Sequence, residues 1–314
     1  MLQASRKEPF AVPGLYRAPS DVAYRPAWRG ASVIDANLVL EGGAMRGQFT
    51  AGVLDYLMDV GMLPKTVIGV SAGALNGFHY VAGARGRSCY LNTKYCGDWR
   101  YFSLRSFATS GNAFNVQFVF DRIPRTLEPF DFDAYRDSPL ELVAVCSNLE
   151  LGEADYTTVT DPEAQLDYVR ASAAMPLVSR IVRIDDKKLL DGGTCDSVPV
   201  IHSQLSGAQK HIVVLTQDES YLKTPEKLMP LMRLRYLAHP EFVRRLKKRH
   251  EDYNRVYRIV ARLAESGEVF LLRPAEPVTV KNMETDPDKL YALYQHGYDQ
   301  ARKGFPDLVR YLEL

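Results

Sequence analysis

The sequence predicts an α/β fold whose central, mostly parallel sheet is flanked by helices on both faces. Three observations carry that expectation. Residues 36–41 and 66–70 are short runs rich in Val, Leu and Ile that suit buried strands. Each ends in a glycine-bearing turn, Gly42-Gly43-Ala44-Met45-Arg46-Gly47 and Gly69-Val70-Ser71-Ala72-Gly73. Each turn is followed by helical spacing, over 48–61 and from Ala72 onward. Strand, turn and helix repeated in this order set the strands parallel, and a parallel sheet needs cover on both sides.

The remaining elements follow in order. Residues 1–34, rich in Pro, Arg and Tyr and without periodicity, are expected to form an extended arm ahead of one domain at 35–314. The aromatic-rich stretch 90–132 reads as an irregular insertion, a cap or lid over the body. Further strands are expected at 140–147, at 154–159 (an edge), at 187–191, at 211–216 and at 268–273. A helix at 166–175 is stopped by Pro176, and a closing helix at 286–303 starts at Asp286-Pro287. Over 241–265, Phe242, Leu246, Tyr253, Val256, Val260 and Leu263 recur at helical spacing, opposite Arg244, Arg245, Lys247, Lys248 and Arg249. That helix either packs on the body with a solvated basic face or makes peripheral contact with an anionic membrane.

Composition narrows the function. The chain has 314 residues, 46% hydrophobic and 25% charged, with a net charge of +1, which gives no argument for a nucleic-acid partner. Cys89, Cys96, Cys146 and Cys195 form no C-x-x-C pair and have no histidine at metal spacing, so neither a metal nor another cofactor is expected. No signal peptide and no apolar run of membrane-spanning character is evident, and a cytoplasmic location is the expectation.

Gly69, Ser71 and Gly73 are spaced as G-x-S-x-G, with a strand before and a helix after. That arrangement holds a serine hydroxyl out on a sharp turn, at a helix N-terminus that favours developing negative charge. The plainer reading is a glycine-rich packing turn. A serine needs a base, and the six histidines offer no motif; His79, on the same helix, is expected to point away from the turn. Asp191 ends a strand and is followed by Gly192 and Gly193, which let the backbone turn and expose the carboxylate, although an aspartate there also simply caps a turn. The loop Gly42, Gly43, Ala44, Met45, Arg46, Gly47 leaves amides free to converge on an anion, and it lacks the Lys and Ser/Thr of a nucleotide-phosphate loop.

Together these segments resemble the patatin-like phospholipase family, in its bacterial branch. The likeness rests on the glycine loop at Gly42, Gly43, Arg46 and Gly47, the serine turn Gly69–Gly73, the Asp191-Gly192-Gly193 motif, and Ala171-Ser172-Ala173-Ala174-Met175-Pro176 before it. Ala44 stands where many members have a third glycine. The resemblance implies a three-layer fold and an acyl hydrolase with a Ser71–Asp191 dyad, without a catalytic histidine or metal, acting on an acyl-ester or phospholipid substrate. It implies that the amides of Gly43 and Ala44 hold the oxyanion and that Arg46 orients the loop or meets a phosphate, a structural ion pair being equally open for Arg46. Two alternatives stand beside it: a Ser-His-Asp esterase, and a non-catalytic lipid- or phosphate-binding protein of the same fold.

Overall fold

The protein, analysed as a computed structural model, is described over residues 32–314, so the expected arm lies outside the described residues except at its end. There β1 (Val33–Leu40) already begins, earlier than the residue 36 expected from hydrophobicity. It is followed by α1 (Gly47–Asp59), β2 (Leu63–Val70) and α2 (Ala72–Val81). The 90–132 stretch is helical where irregular structure was expected. It holds most of α3 (Arg87–Tyr95), α4 (Leu104–Ser110) and a π-helix (Phe118–Leu127), and leads into α5 (Phe132–Arg136).

The second half contains β3 (Glu141–Asn148), β4 (Glu153–Val159), α6 (Leu166–Ser172), β5 (Val182–Ile184) and β6 (Lys187–Asp191). Then come α7 (Val200–Leu205), β7 (His211–Val214), α8 (Met229–Arg235), α9 (Pro240–Glu265), β8 (Phe270–Leu272) and α10 (Pro287–Leu312). Helix α6 stops three residues short of the expected end, well before Pro176, whereas α10 runs past Lys303 to Leu312.

The eight strands form one sheet in the order β5-β6-β3-β2-β1-β7-β8, with β4 on the free side of β3. The pairs β1–β2, β1–β7, β2–β3 and β7–β8 are parallel; those involving β4, β5 and β6 are antiparallel. Alternation along the strands supplies two cores. Leu38, Leu40, Val67, Leu142, Ala144, Ile212 and Val214 face α1, α2 and α10. Val39, Ile68, Val70, Val143, Val145, Val213 and Leu215 face the other way, onto Val256 and Val260 of α9. Three layers result, as the sequence predicts.

One topological detail positions the site. Along β3, Glu141 to Val145 pair with β2, while Cys146 to Asn148 pair with β6. Both partners lie on the same side of β3, because β4 occupies the other side over its whole length. Strand β2 runs parallel to β3 and β6 antiparallel to it, so the two strands point at each other end to end. Val70 pairs with Val145, and Asp191 pairs with the next residue, Cys146. The residue after Val70 therefore meets the last residue of β6.

Candidate active site

That residue is Ser71, with φ 54° and ψ −120°. A non-glycine residue in this region is strained by about 1–3 kcal/mol and persists only where its surroundings impose it. Here they do. A Cβ on Gly69 would sit 2.7 Å from the Ala74 backbone, one on Gly73 2.4 Å from the Leu40 carbonyl, and one on Gly42 2.9 Å from the Ser71 Cβ. The three glycines let strand, turn and helix close on the neighbouring loop. The Ser71 amide donates to Ser172 Oγ at 2.9 Å, and that hydroxyl donates to the Val145 carbonyl at 2.6 Å. The Ala171–Pro176 segment thus braces the serine turn. It braces the other partner too, since the Asp191 amide donates to the Ala174 carbonyl at 2.9 Å.

The Ser71 hydroxyl faces the Asp191 carboxylate closely enough to act on its pKa, and that carboxylate accepts the Gly193 amide at 2.8 Å. Asp191 is 5% exposed, and burial raises its carboxyl above the ordinary aspartate value; the Arg249 charge, the Ser71 hydroxyl, the Gly193 amide and the Lys223 charge oppose that rise. Gly192 is required by a close approach, because a Cβ there would lie 2.1 Å from the Val145 carbonyl.

The glycine loop approaches from β1. Ala44 has φ 49°, and among the described residues no acceptor meets the amides of Gly43 or Ala44. Gly47 opens α1 against Ala72, and its carbonyl accepts from Asn76 Nδ2 at 2.8 Å. Arg46 forms no ion pair among the described residues; Nη1 donates to Asn282 Oδ1, and its buried Nε has no partner.

The sequence missed two further groups. Glu41, 1% exposed, accepts from the Thr216 amide (2.5 Å), Thr216 Oγ1 (3.0 Å), Tyr253 OH (2.5 Å) and Tyr257 OH (2.8 Å), fixing the glycine loop to β7 and α9. Arg249, expected on a solvated face of α9, turns inward and donates from Nε to the Gly193 carbonyl at 2.6 Å. Neither contact has a local signal, since each joins residues far apart in the chain.

Ser71 opens onto a cavity of about 100 Å³ lined mainly by apolar groups. Leu75 and Phe78 of α2, Phe102, Phe114 and Phe130 of the 90–132 segment, and Val119 and Ile123 of the π-helix form its walls. His79 lines it as well, contrary to the expectation that it points away, because the cavity extends along α2 from the turn. Its Nδ1 is 2.8 Å from Ser88 Oγ, and burial together with the Arg87 charge holds its pKa well below the usual histidine value. Three of the other histidines have partners elsewhere: His202 stacks on Tyr156, His211 pairs with Ser203, and His296 meets Phe49. Cys195 is half-buried, and burial pushes its thiol up to about 11. Among the described residues no group of three or more His, Cys, Asp or Glu is arranged to hold a metal, and no helix is long and apolar enough to cross a membrane.

Comparison with known proteins gives two family matches. A family described as patatin-like phospholipase matches residues 38–202, and a domain of unknown function (DUF6363) matches 239–313. Over 247 residues the chain is 26% identical to the uncharacterized protein YjjU of Escherichia coli (strain K12), covering 77% of this chain and 69% of that protein. Among solved structures it is similar to VipD from Legionella pneumophila at 12% identity and a TM-score of 0.43, covering 88% of this chain and 66% of that one. With more than half of its length matched, including the serine turn, the glycine loop and the Asp191 motif, the chain belongs to the patatin-like phospholipase family.

Proposed function

We propose that the protein is a serine acyl hydrolase cleaving carboxylic esters of lipids, phospholipids among them, through a Ser71–Asp191 dyad. The observation that carries this reading is the juxtaposition of Ser71 and the buried Asp191 carboxylate, brought together where β2 and β6 meet end to end. Ser71 Oγ attacks the ester carbonyl carbon while its proton passes to Asp191. The oxyanion is received by the amides of Gly43 and Ala44, beside the N-terminus of α2. Collapse of the intermediate expels the alcohol, which takes the proton from Asp191. Asp191 then draws a proton from water as its oxygen attacks the acyl-serine, and returns that proton to Ser71 Oγ as the acyl–serine bond breaks and the fatty acid leaves. The acyl chain occupies the apolar cavity onto which Ser71 opens.

A carboxylate is a weak base, and the burial that raises its pKa makes Asp191 a better one. The engagement of His79 with Ser88, of His211 with Ser203 and of His202 with Tyr156 supports the dyad over a triad. The strained φ of Ser71 supports turnover over mere binding, since a binding site has no use for a serine held at that cost.

The test is hydrolysis of p-nitrophenyl esters of graded chain length by wild type, Ser71→Ala and Asp191→Asn. Both variants should fold and lose at least about a thousandfold in kcat. An active Asp191→Asn beside a dead Ser71→Ala would return the base to a histidine.

A further inference from the structure

Residues 222–237 carry five of the exposed large apolar side chains among the described residues. Leu222 (71% exposed), Leu228 (53%), Leu231 (51%), Leu234 (72%) and Leu237 (69%) all face solvent. The segment is not a loose loop. Met232 and Tyr236, on the opposite side of α8, are buried against Phe242 and Leu246 of α9. Leu231 and Leu234 therefore stand on a helix anchored from beneath, with Leu228 and Leu237 flanking it, and scattered single apolar residues on a surface are a different case.

The same segment holds Lys223, Lys227, Arg233 and Arg235 against one carboxylate, Glu226, in a chain whose net charge is only +1. Lys227, Arg233 and Arg235 are exposed beside the leucines, and Lys247 and Lys248 are exposed on the neighbouring α9. Leucines flanked by cations on a short anchored helix match a lipid surface with anionic head groups, where acyl chains take the leucines and phosphates the cations. Both ends of the segment are tied down. The Lys223 amide donates to Asn254 Oδ1 of α9 at 2.9 Å, and Tyr236 OH accepts the Leu177 amide at 2.9 Å, two residues beyond Met175 of the cavity wall.

We propose that residues 222–237, and not the basic face of α9 alone, form a membrane-docking element that seats the protein on an anionic bilayer beside the mouth of the Ser71 cavity. The proposal goes beyond the assignment of the dyad, because docking depends on no group that cleaves the ester.

Its test is flotation of the full chain with vesicles of phosphatidylcholine alone and of phosphatidylcholine mixed with phosphatidylglycerol, whose negative surface attracts basic side chains. The protein carries Ser71→Ala, so binding is read without turnover and a failure of the dyad leaves the result untouched. Binding to the anionic vesicles is expected, weakened by high salt. Leu231→Ser/Leu234→Ser should weaken it about a hundredfold, near tenfold for each leucine withdrawn from the acyl region. In the Ser71 background that double variant should keep wild-type hydrolysis of a soluble short-chain ester. Arg233→Gln/Arg235→Gln should lose the preference for anionic vesicles. Absence of wild-type binding, undiminished binding by the leucine variant, or a shift of that variant from dimer to monomer, which would give the leucines to a second copy of the chain, each overturns it. If the leucine variant loses ester hydrolysis as well, retention of the anionic preference by the arginine variant overturns it.

Discussion

At the scale of single residues, Asp191 stands between opposing influences. Burial raises its carboxyl, and Arg249, pinned to the Gly193 carbonyl, is the first of the groups that hold it down. A base works only when ionised, so the rate should climb as pH rises through the Asp191 pKa and fall away below it. Removing the Arg249 charge lifts that pKa further, which moves the acid limb of the pH–rate profile to higher pH. Arg249→Met should therefore lose activity severalfold in mildly acidic buffer and much less at pH 8, whereas Arg249→Lys should restore the position of the limb. A uniform loss at every pH in both variants would mean that Arg249 serves only to hold the Gly193 turn.

At the scale of elements, α1 and α10 cross in backbone contact. A Cβ on Gly297 would lie 2.0 Å from the Phe49 carbonyl oxygen, and one on Gly52 2.0 Å from that of Tyr294. Backbone cannot yield as a side chain does, so Gly297→Ala should cost at least about 2 kcal/mol in chemical denaturation. Gly304 lies on the same helix, where an added Cβ meets only the side chains of Leu272 at 3.4 Å and Phe270 at 3.5 Å. Gly304→Ala should be neutral or stabilise by up to about 1 kcal/mol through helix propensity. Equal losses at both positions would contradict the reading of a helix crossing set by Gly297.

The same scale shows what the sequence could disclose. The strands β1, β2, β3 and β7 were legible because each is a short apolar run ended by a turn signal. The α3–α5 stretch was not, since its aromatics point into the cavity and leave no period of a surface helix. The end of α6 was misplaced because the turn at Ala173 comes from Ser172 bracing Ser71 and Ala174 bracing Asp191, contacts with no local signature. Ser71, Asp191 and the glycines around them were readable, because a tight turn requires glycine whatever surrounds it. Glu41, Arg249 and the course of the cavity past His79 were not, for they exist only once α9 and the insertion are folded onto the sheet.

At the scale of the whole molecule, the stretch beyond the patatin-like match is built into the body. Helix α10 covers one face of the sheet beside α1, and α9 covers the other through Val256 and Val260. From this part come Arg249 against the Gly193 turn, Tyr253 and Tyr257 on Glu41, and Asn282 on Arg46. The groups proposed to cut the ester thus lie in the first part, and several that hold them in place lie in the second. The central claim is that Ser71, activated by Asp191, becomes covalently acylated. The measurement that tests it most directly is labelling with an alkyl fluorophosphonate followed by peptide mapping. The account predicts one adduct, on Ser71, forming far more slowly in Asp191→Asn. An adduct on another residue, or none on a folded protein that hydrolyses esters, would contradict it.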